Sequence, residues 1–395
     1  MKVVVTCLFG LESLVREDII SLGYPPEAIV VSDGLVSLEV TDAEIPRAVA
    51  RLNLWVSTGE RVLLEITDFA AVTFDELFDG MAELPWEDFI PQDCAFHVNG
   101  YSRKSALFGI SACQSIGKKA IVQRLLPRRG NRENLEEDEK IGLVKIHLGI
   151  VEDRVHVRID TSGEGLHKRG YRPLSNVAPI RETLAAGLVR LSRYRPWGVE
   201  SLFDPFCGSG TIVIEAARAA VGIAPGVARH FSAEKWPVVG ADIFEKERVA
   251  ARENVGEPPS DKIFFYGSDI DPHAVEIAVR NAKSAGVEKC ARFSQCDAIR
   301  QTPEKMEDCT GLSRTLVLCN PPYGERLLTP EKAEEIYRNI GKIYLTDRGK
   351  CRKGIRLSVI SPDESFEKAI GCKADKRRKL YNGNIKCQMY HFFSM

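Results

Sequence analysis

The chain has 395 residues, of which 44% are hydrophobic, and Lys plus Arg (54) nearly balance Asp plus Glu (55). This length predicts two or three domains with substantial cores, and the absence of a signal-peptide pattern or of an apolar run of about 18 residues argues against export and a membrane span. The 11 cysteines lack paired CxxC spacing, so we expect no disulfide framework, no metal site and a cytoplasmic location.

Short alternating elements open the chain and predict an α+β region. A strand at 2–7, a helix at 11–22, a hairpin around Asp33-Gly34 and a helix at 44–53 form a ferredoxin-like unit, which we place at 1–58. A second unit, at 59–162, combines strands at 61–66 and 95–98, a helix at 74–81, and a hairpin of 141–150 with 154–160.

A basic stretch lies within the second unit. Residues 94–132 contain Lys and Arg but no Asp or Glu, and an acidic loop follows at 133–139. Several of these basic residues fall on one predicted helix, at about 109–126, and such clustering suits phosphate contact, although a solvated helix face is the alternative. The candidates are Arg103, Lys104, Lys118, Lys119 and Arg124. A later stretch adds Lys168, Arg169 and Arg172, with Tyr171 as a possible stacking group.

From residue 163 onward the pattern changes to strands that alternate with helices. Strands near 202, 264, 292, 316 and 356, followed by a hairpin across Asn382-Gly383, predict a mainly parallel sheet with a C-terminal hairpin. We assign 163–395 to this α/β domain. Residues 222–262 exceed a simple connection and read as an insertion with helical segments.

A glycine-containing turn follows the first of these strands. Asp204-Pro205-Phe206-Cys207-Gly208-Ser209-Gly210-Thr211 lacks both the third glycine of a dinucleotide fingerprint and the Gly-Lys-Ser/Thr of a P-loop. Its glycines let the backbone approach a ligand, and the helix that starts at Thr211 favours a negative group. Asp269 ends the second strand, where an acid commonly binds ribose hydroxyls, and Asp297 ends the third.

The fourth strand ends in Asn320-Pro321-Pro322-Tyr323. The Asn320 amide oxygen and the Pro321 carbonyl can accept both hydrogens of an exocyclic amine, and Tyr323 offers a face on which a base can stack. A plain proline-rich turn is the alternative. Cys207 and Cys319 lie beside these motifs, but an amine needs no cysteine nucleophile, so we interpret both as packing residues.

These motifs resemble those of class I S-adenosylmethionine-dependent amino-methyltransferases. The resemblance implies that S-adenosylmethionine is the cofactor and that Asn320, Pro321, Pro322 and Tyr323 form the catalytic motif. The cofactor-binding residues that it implies are Pro179, Asp204, Pro205, Phe206, Cys207, Gly208, Gly210, Thr211, Asp269, Ile270, Asp297 and Ala298.

A narrower resemblance covers nearly the whole chain. The segments 166–172, 178–184, 320–326 and 378–383 are similar to those of the THUMP-domain 23S ribosomal RNA guanine-N2 methyltransferases, whose members are often labelled N6-adenine-specific DNA methylases. It implies a class I Rossmann-like methyltransferase domain, with 59–162 as a THUMP RNA-binding domain and 23S rRNA as partner. Some members carry a second methyltransferase after this region, and their dual activity does not carry over.

Three alternatives stay open from the sequence. The same chemistry could act on guanine N2 of tRNA or on adenine N6 of RNA or DNA, because Asn-Pro-Pro-Tyr does not separate the two bases. An RNA-binding protein with a vestigial methyltransferase domain is disfavoured by the intact motif residues. A NAD-linked dehydrogenase is disfavoured by the missing third glycine. The sequence does not indicate which oligomeric state the protein adopts.

Overall fold

A computed structural model of the chain describes residues 1–129, 138–172, 180–259, 262–323 and 329–393. The strands in these ranges are β1 (Lys2–Cys7), β2 (Ile29–Ser32), β3 (Leu35–Glu39), β4 (Gly59–Ala70), β5 (Cys94–Arg103), β6 (Asp138–Val151), β7 (Arg154–Asp160), β8 (Glu200–Asp204), β9 (Phe265–Asp269), β10 (Ala291–Gln295), β11 (Arg314–Cys319), β12 (Ile355–Ser361), β13 (Lys376–Asn382) and β14 (Ile385–Phe392). The helices are α1 (Glu12–Ser21), α2 (Ile45–Trp55), α3 (Phe74–Ala82), α4 (Ile110–Leu125), α5 (Glu182–Leu191), α6 (Thr211–Val221), α7 (Ala241–Glu253), α8 (Pro272–Ser284), α9 (Pro303–Thr310), α10 (Pro330–Tyr344) and α11 (Phe366–Ile370).

Two compact units make up the chain. Unit 1 comprises Met1–Cys7, Val15–Leu166 and Arg229–Ala250, and unit 2 comprises Leu8–Leu14, His167–Ala228 and Ala251–Met395. Of the helices in the described ranges, none provides the 18-residue apolar window that a bilayer-crossing segment requires.

Unit 1 is built on one mixed sheet. In the described ranges its strand order is β2-β3-β1-β4-β7-β6-β5, and β5 and β6 run parallel while the other neighbours are antiparallel. Strand β4 pairs with β1 along 59–65 and with β7 along 63–70. One sheet therefore spans both predicted units, because β4 pairs with β1 of the first and with β7 of the second.

The segment 229–250 packs within unit 1. The Trp236 ring meets the Phe89 ring edge-on, with centroids 6.3 Å apart, and the Lys235 ammonium donates to the Ile141 carbonyl at 2.8 Å. The prediction of helical segments in 222–262 is confirmed by α7, but much of this insertion belongs to the other unit rather than to the α/β domain.

Unit 2 is an α/β sandwich around the predicted sheet. Its strand order is β10-β9-β8-β11-β12-β14-β13, with the first five strands parallel and the last two antiparallel to their neighbours. Successive residues of β11 enter different cores, since Leu316 and Leu318 pack in one cluster and Val317 and Cys319 in the other. Both faces are thus covered, as parallel sheets require. The class I methyltransferase fold prediction is confirmed.

The C-terminal hairpin differs from the prediction by one residue. Asn382 pairs with Ile385, so Gly383 and Asn384 form the two-residue turn instead of Asn382 and Gly383. Gly383 has φ +61°, which the first central residue of such a turn requires and which glycine adopts without steric cost. Asn382 is consequently the last residue of β13, and its side chain can contact a residue far away in the sequence.

Candidate active site

Four predicted site residues meet at one edge of the unit 2 sheet. Asp204 and Asp269 end β8 and β9, Asp297 follows β10, and Asn320 follows β11. Because β8 lies between β9 and β11, and β10 flanks β9, the carboxyl ends of these parallel strands are neighbours. This edge is where α/β sheets bind their ligands.

The loop after β8 is held against the end of β9. The Cys207 N–H donates to the Ser268 carbonyl at 3.0 Å, and the Gly208 N–H donates to Asp269 Oδ2 at 2.9 Å. Gly208 has φ +50°, and a Cβ atom there would meet no atom within 4 Å, so the loop backbone borders open space. At Gly210, φ is +83° and a Cβ would lie 2.9 Å from the Phe293 ring. One glycine thus leaves room for a ligand, and the other permits close packing.

Asp269, at the end of β9, can accept further hydrogen bonds from a ligand. Asp269 Oδ1 accepts the Asp271 N–H at 3.0 Å and Oδ2 accepts Gly208, so each oxygen retains a lone pair for a ribose hydroxyl. Asp271 caps α8 by accepting the His273 N–H at 2.9 Å. The neighbouring Ile270 is 65% exposed, an apolar surface suited to a flat ring.

Asp297 lies one strand further along the same edge. Its Oδ1 accepts the Ile299 N–H at 3.1 Å and caps the short turn that starts at Ala298. The Cys296 N–H donates to the Asp269 carbonyl at 2.9 Å, which ties this segment to the end of β9. The second Asp297 oxygen is a potential acceptor for an amino group at this position.

Asp204 lies beneath the loop with 2% of its surface exposed. Its Oδ1 accepts the Phe206 N–H at 3.0 Å. Burial, together with the nearby Asp269 carboxylate, raises the pKa of Asp204 to about 8. Asp204 therefore carries a proton at neutral pH, which avoids a second negative charge beside Asp269 and leaves a hydroxyl that can donate a hydrogen bond.

Asn320 presents an unused acceptor at the end of β11. Its Oδ1 is buried and has no hydrogen-bond partner among the residues that the structure describes. Leaving such a group unpaired costs about 1–3 kcal/mol, and the oxygen keeps its full capacity to accept a hydrogen bond. Pro321, which supplies the second predicted acceptor, is buried beside it.

Tyr323 completes this end of the site. It is half-buried, and its hydroxyl accepts a hydrogen bond from Asn382 Nδ2 at 2.8 Å. Burial raises the pKa of Tyr323 to about 12, so the phenol stays neutral at physiological pH. A neutral phenol held in this way is suited to stacking rather than to accepting a proton.

The two cysteines beside the motifs are interior residues. Cys207 and Cys319 are 6% and 0% exposed, and burial raises the pKa of both thiols well above the ordinary value. Since a protonated thiol is a poor nucleophile, their environment supports the packing interpretation and disfavours a covalent base-carbon mechanism through either residue.

Three family models match successive parts of the chain. The RMKL-like methyltransferase domain (UPF0020) matches residues 169–391, an RlmL ferredoxin-like domain matches 2–63, and a THUMP domain matches 71–160. The chain belongs to the RMKL-like methyltransferase family. The predicted family resemblance is thereby confirmed.

Curated relatives align along nearly the full length of this chain. The "Putative RNA methyltransferase YpsC" of Bacillus subtilis (strain 168) is 38% identical over 393 residues, covering 99% of this chain and 95% of the relative. The "Ribosomal RNA large subunit methyltransferase K/L" of Aliivibrio salmonicida (strain LFI1238) is 33% identical over 96% of this chain, which spans 51% of that relative. The solved structure of SMU.472 in complex with SAH (S-adenosylhomocysteine) has a TM-score of 0.84 at 34% identity, covering 100% of this chain and 98% of that chain.

Two basic residues predicted to contact RNA are instead interior to the methyltransferase domain. Arg169 is 1% exposed and forms an ion pair with Glu215 at 3.7 Å. The Arg172 side chain, 11% exposed, pairs with Glu182 at 3.1 Å and donates to Thr211 Oγ1 at 2.8 Å. Buried charges need such partners, so these arginines brace the start of α6 rather than contact phosphate.

The predicted stacking role of Tyr171 is also wrong. Its side chain is 2% exposed, and its hydroxyl donates to Glu215 Oε1 at 2.9 Å. Lys168, from the same stretch, is exposed and stays a candidate. Pro179 and the 324–326 extension of the catalytic motif lie outside the described residues, as do Arg132 and most of the predicted acidic loop.

An alanine substitution tests the role of Asp269 in cofactor binding. Replacing it with alanine should weaken binding of S-adenosylhomocysteine about tenfold or more, because the variant no longer makes charge-assisted hydrogen bonds worth roughly 1.5–3 kcal/mol. Calorimetric titration measures the affinity. Asp271→Ala is the matched control, since that residue caps α8 and should affect affinity less. Equal affinities of Asp269→Ala and wild type would remove Asp269 from the cofactor site.

Proposed function

We propose that this methyltransferase transfers a methyl group from S-adenosylmethionine to the exocyclic N2 amine of a guanine in 23S rRNA. The main support is Asn320 Oδ1 at the end of β11, which is buried and has no hydrogen-bond partner among the described residues. An exocyclic amine supplies the donor that this oxygen lacks. The cofactor is S-adenosylmethionine and the substrate is RNA, as the methyltransferase and THUMP domains and the relatives indicate.

The loop after β8 fits the cofactor. Gly208 borders open space, and Asp269 keeps lone pairs for hydroxyls, while Ile270 and Asp297 suit an adenine and its amino group. When bound, S-adenosylmethionine supplies a methyl group on a positive sulfur, which an amine can attack directly. We assign Asp204, Pro205, Phe206, Cys207, Gly208, Gly210, Thr211, Asp269, Ile270, Asp297 and Ala298 to this site.

Asn320 and Pro321 act on the base. The base leaves its stack and lies against Tyr323, and the two oxygens accept both amine hydrogens. This directs the nitrogen lone pair to the methyl carbon. As the nitrogen–carbon bond forms, the carbon–sulfur bond breaks with its electron pair going to sulfur. The nitrogen is then cationic and acidic, so its proton leaves without a strong base. Positioning supplies much of the acceleration.

Unit 1 offers a surface for RNA between β5 and α4. Arg103, Lys104 and Lys119 are exposed, and Lys118 is half-buried with its ammonium 5.2 Å from the Phe96 ring centroid. Phe108 is 84% exposed in the loop that joins the two elements. Basic groups with an exposed aromatic ring suit phosphates and an unstacked base. Arg124 forms an ion pair with Glu87 at 3.1 Å and is a weaker candidate.

A charge-reversal variant tests this surface. Lys118→Glu with Lys119→Glu should weaken RNA binding and reduce the slope of log affinity against log salt, by about 0.7–0.9 for each RNA phosphate that the variant no longer neutralises. Filter binding over a salt series measures both quantities. Arg280→Glu with Lys283→Glu, two exposed positions on α8, makes the same charge change as a control. An unchanged slope in the Lys118/Lys119 variant would mean that these residues are a solvated helix face.

Mass spectrometry of RNA nucleosides from a deletion strain tests the proposed substrate. We expect one N2-methylguanosine to disappear from 23S rRNA and to return when the gene is restored. Loss of N2-methylguanosine from tRNA, or of N6-methyladenosine, would instead support the alternatives that the Asn-Pro-Pro-Tyr motif permits. A cytoplasmic location is part of this proposal, because rRNA is the substrate.

A further inference from the structure

The C-terminal hairpin contacts the catalytic motif through a hydrogen bond between two side chains. Asn382 ends β13 and pairs with Ile385, so its side chain projects from a strand whose register is fixed through Lys376. Its Nδ2 donates to the Tyr323 hydroxyl at 2.8 Å, across 59 residues of sequence. The shifted turn at Gly383-Asn384 is what leaves Asn382 in this position.

The hydrogen bond holds the far end of the Tyr323 ring. The backbone of the catalytic motif fixes one end of the side chain, and Asn382 fixes the hydroxyl, so rotation about the side-chain bonds is restricted from both ends. The buried Cys387 thiol, on the paired strand β14, also interacts with this hydroxyl. Side chains whose orientation is locked in this way lose less entropy when a ligand binds.

We infer that Asn382 is a positioning residue, whose amide sets the orientation of Tyr323 so that the ring face supports the base whose amine Asn320 binds. This rests on the proposed function, because it assumes that a flipped base lies against Tyr323. Asn382 acts through Tyr323, so its contribution should vanish when the Tyr323 hydroxyl is absent. A general stabilising role of the hairpin would not depend on that hydroxyl.

A double-mutant cycle separates these two roles. Single-turnover methyl transfer is measured at saturating cofactor and rRNA for wild type, Asn382→Ala, Tyr323→Phe and the double variant. We expect each single change to slow transfer by up to about tenfold, since modest misalignment of a reacting group costs this much. The double variant should be no slower than Tyr323→Phe alone. Affinity for S-adenosylhomocysteine should match wild type throughout.

Controls guard against a folding defect. Asn384→Ala changes an exposed residue of the same turn and should leave the rate unchanged. Asn382→Leu keeps the side-chain size without a donor and replaces Asn382→Ala in the cycle if that variant does not fold. Effects that multiply in the double variant, or an Asn382 variant as fast as wild type, overturn the inference. A wild-type protein that methylates no base amine overturns both the proposed function and the inference.

Discussion

Asn320→Ala is expected to slow methyl transfer on the order of 10²-fold or more while S-adenosylmethionine binds nearly as well as before. The change removes the buried amide oxygen that has no partner among the described residues. Without it the amine is held by the Pro321 carbonyl alone, so the nitrogen is no longer aimed at the methyl carbon. Asn320 lies outside the loop after β8, so cofactor binding should be spared.

Single-turnover kinetics with protein-free rRNA from a deletion strain measure this effect directly. Titration with S-adenosylhomocysteine, together with the melting temperature, shows whether the cofactor site and fold are intact. If transfer by Asn320→Ala stays within about threefold of wild type, the amide is not acting as a preorganised polar group and the amine-binding role of Asn320 is wrong.

Tyr323→Ala should be severe and Tyr323→Phe mild. Alanine removes the stacking face, which is worth about 1–3 kcal/mol per base and also aligns the amine, so we expect transfer to slow on the order of 10²-fold. Phenylalanine keeps the face and removes only the hydroxyl with its contacts to Asn382 and Cys387, so its effect should stay within about tenfold. The same single-turnover assay compares the two variants.

Comparing Tyr323→Ala with Tyr323→Phe distinguishes a stacking role of the ring from a proton-transfer role of the hydroxyl. Burial raises its pKa to about 12, so below that pH the hydroxyl remains protonated and cannot accept a proton from the amine. If Tyr323→Phe were as damaging as Tyr323→Ala, the stacking interpretation would fail and the hydroxyl would have to take part in the reaction.

Local sequence patterns were sufficient to predict most strand and helix boundaries of the methyltransferase domain. The apolar run 316–319 ends at Asn-Pro because proline cannot continue a ladder, and β11 ends at Cys319, directly before that motif. Pro272 begins α8, and Thr211 begins α6 after a positive-φ glycine. Each of these boundaries depends on residues within a few positions, so the strand ends and their acids could be located from sequence alone.

Interactions between distant residues could not be predicted in the same way. The prediction that Arg169 and Arg172 contact RNA was wrong. Their partners, Glu215 and Glu182, lie on helices that only the folded domain brings near. The Asn382-Gly383 pair is typical of a two-residue turn. No sequence signal indicated that Gly383 and Asn384 would form the turn instead, or that Asn382 would contact Tyr323.

The identity of the methylated atom tests the central claim most directly. Purified protein is incubated with isotopically labelled S-adenosylmethionine and unmodified rRNA, and the digested nucleosides are separated and identified. We expect the label to lie on the N2 amine of guanosine from 23S rRNA, and Asn320→Ala to eliminate nearly all of it. Label on a base carbon or a ribose hydroxyl would contradict the account, because neither presents the paired amine hydrogens that Asn320 and Pro321 are placed to accept.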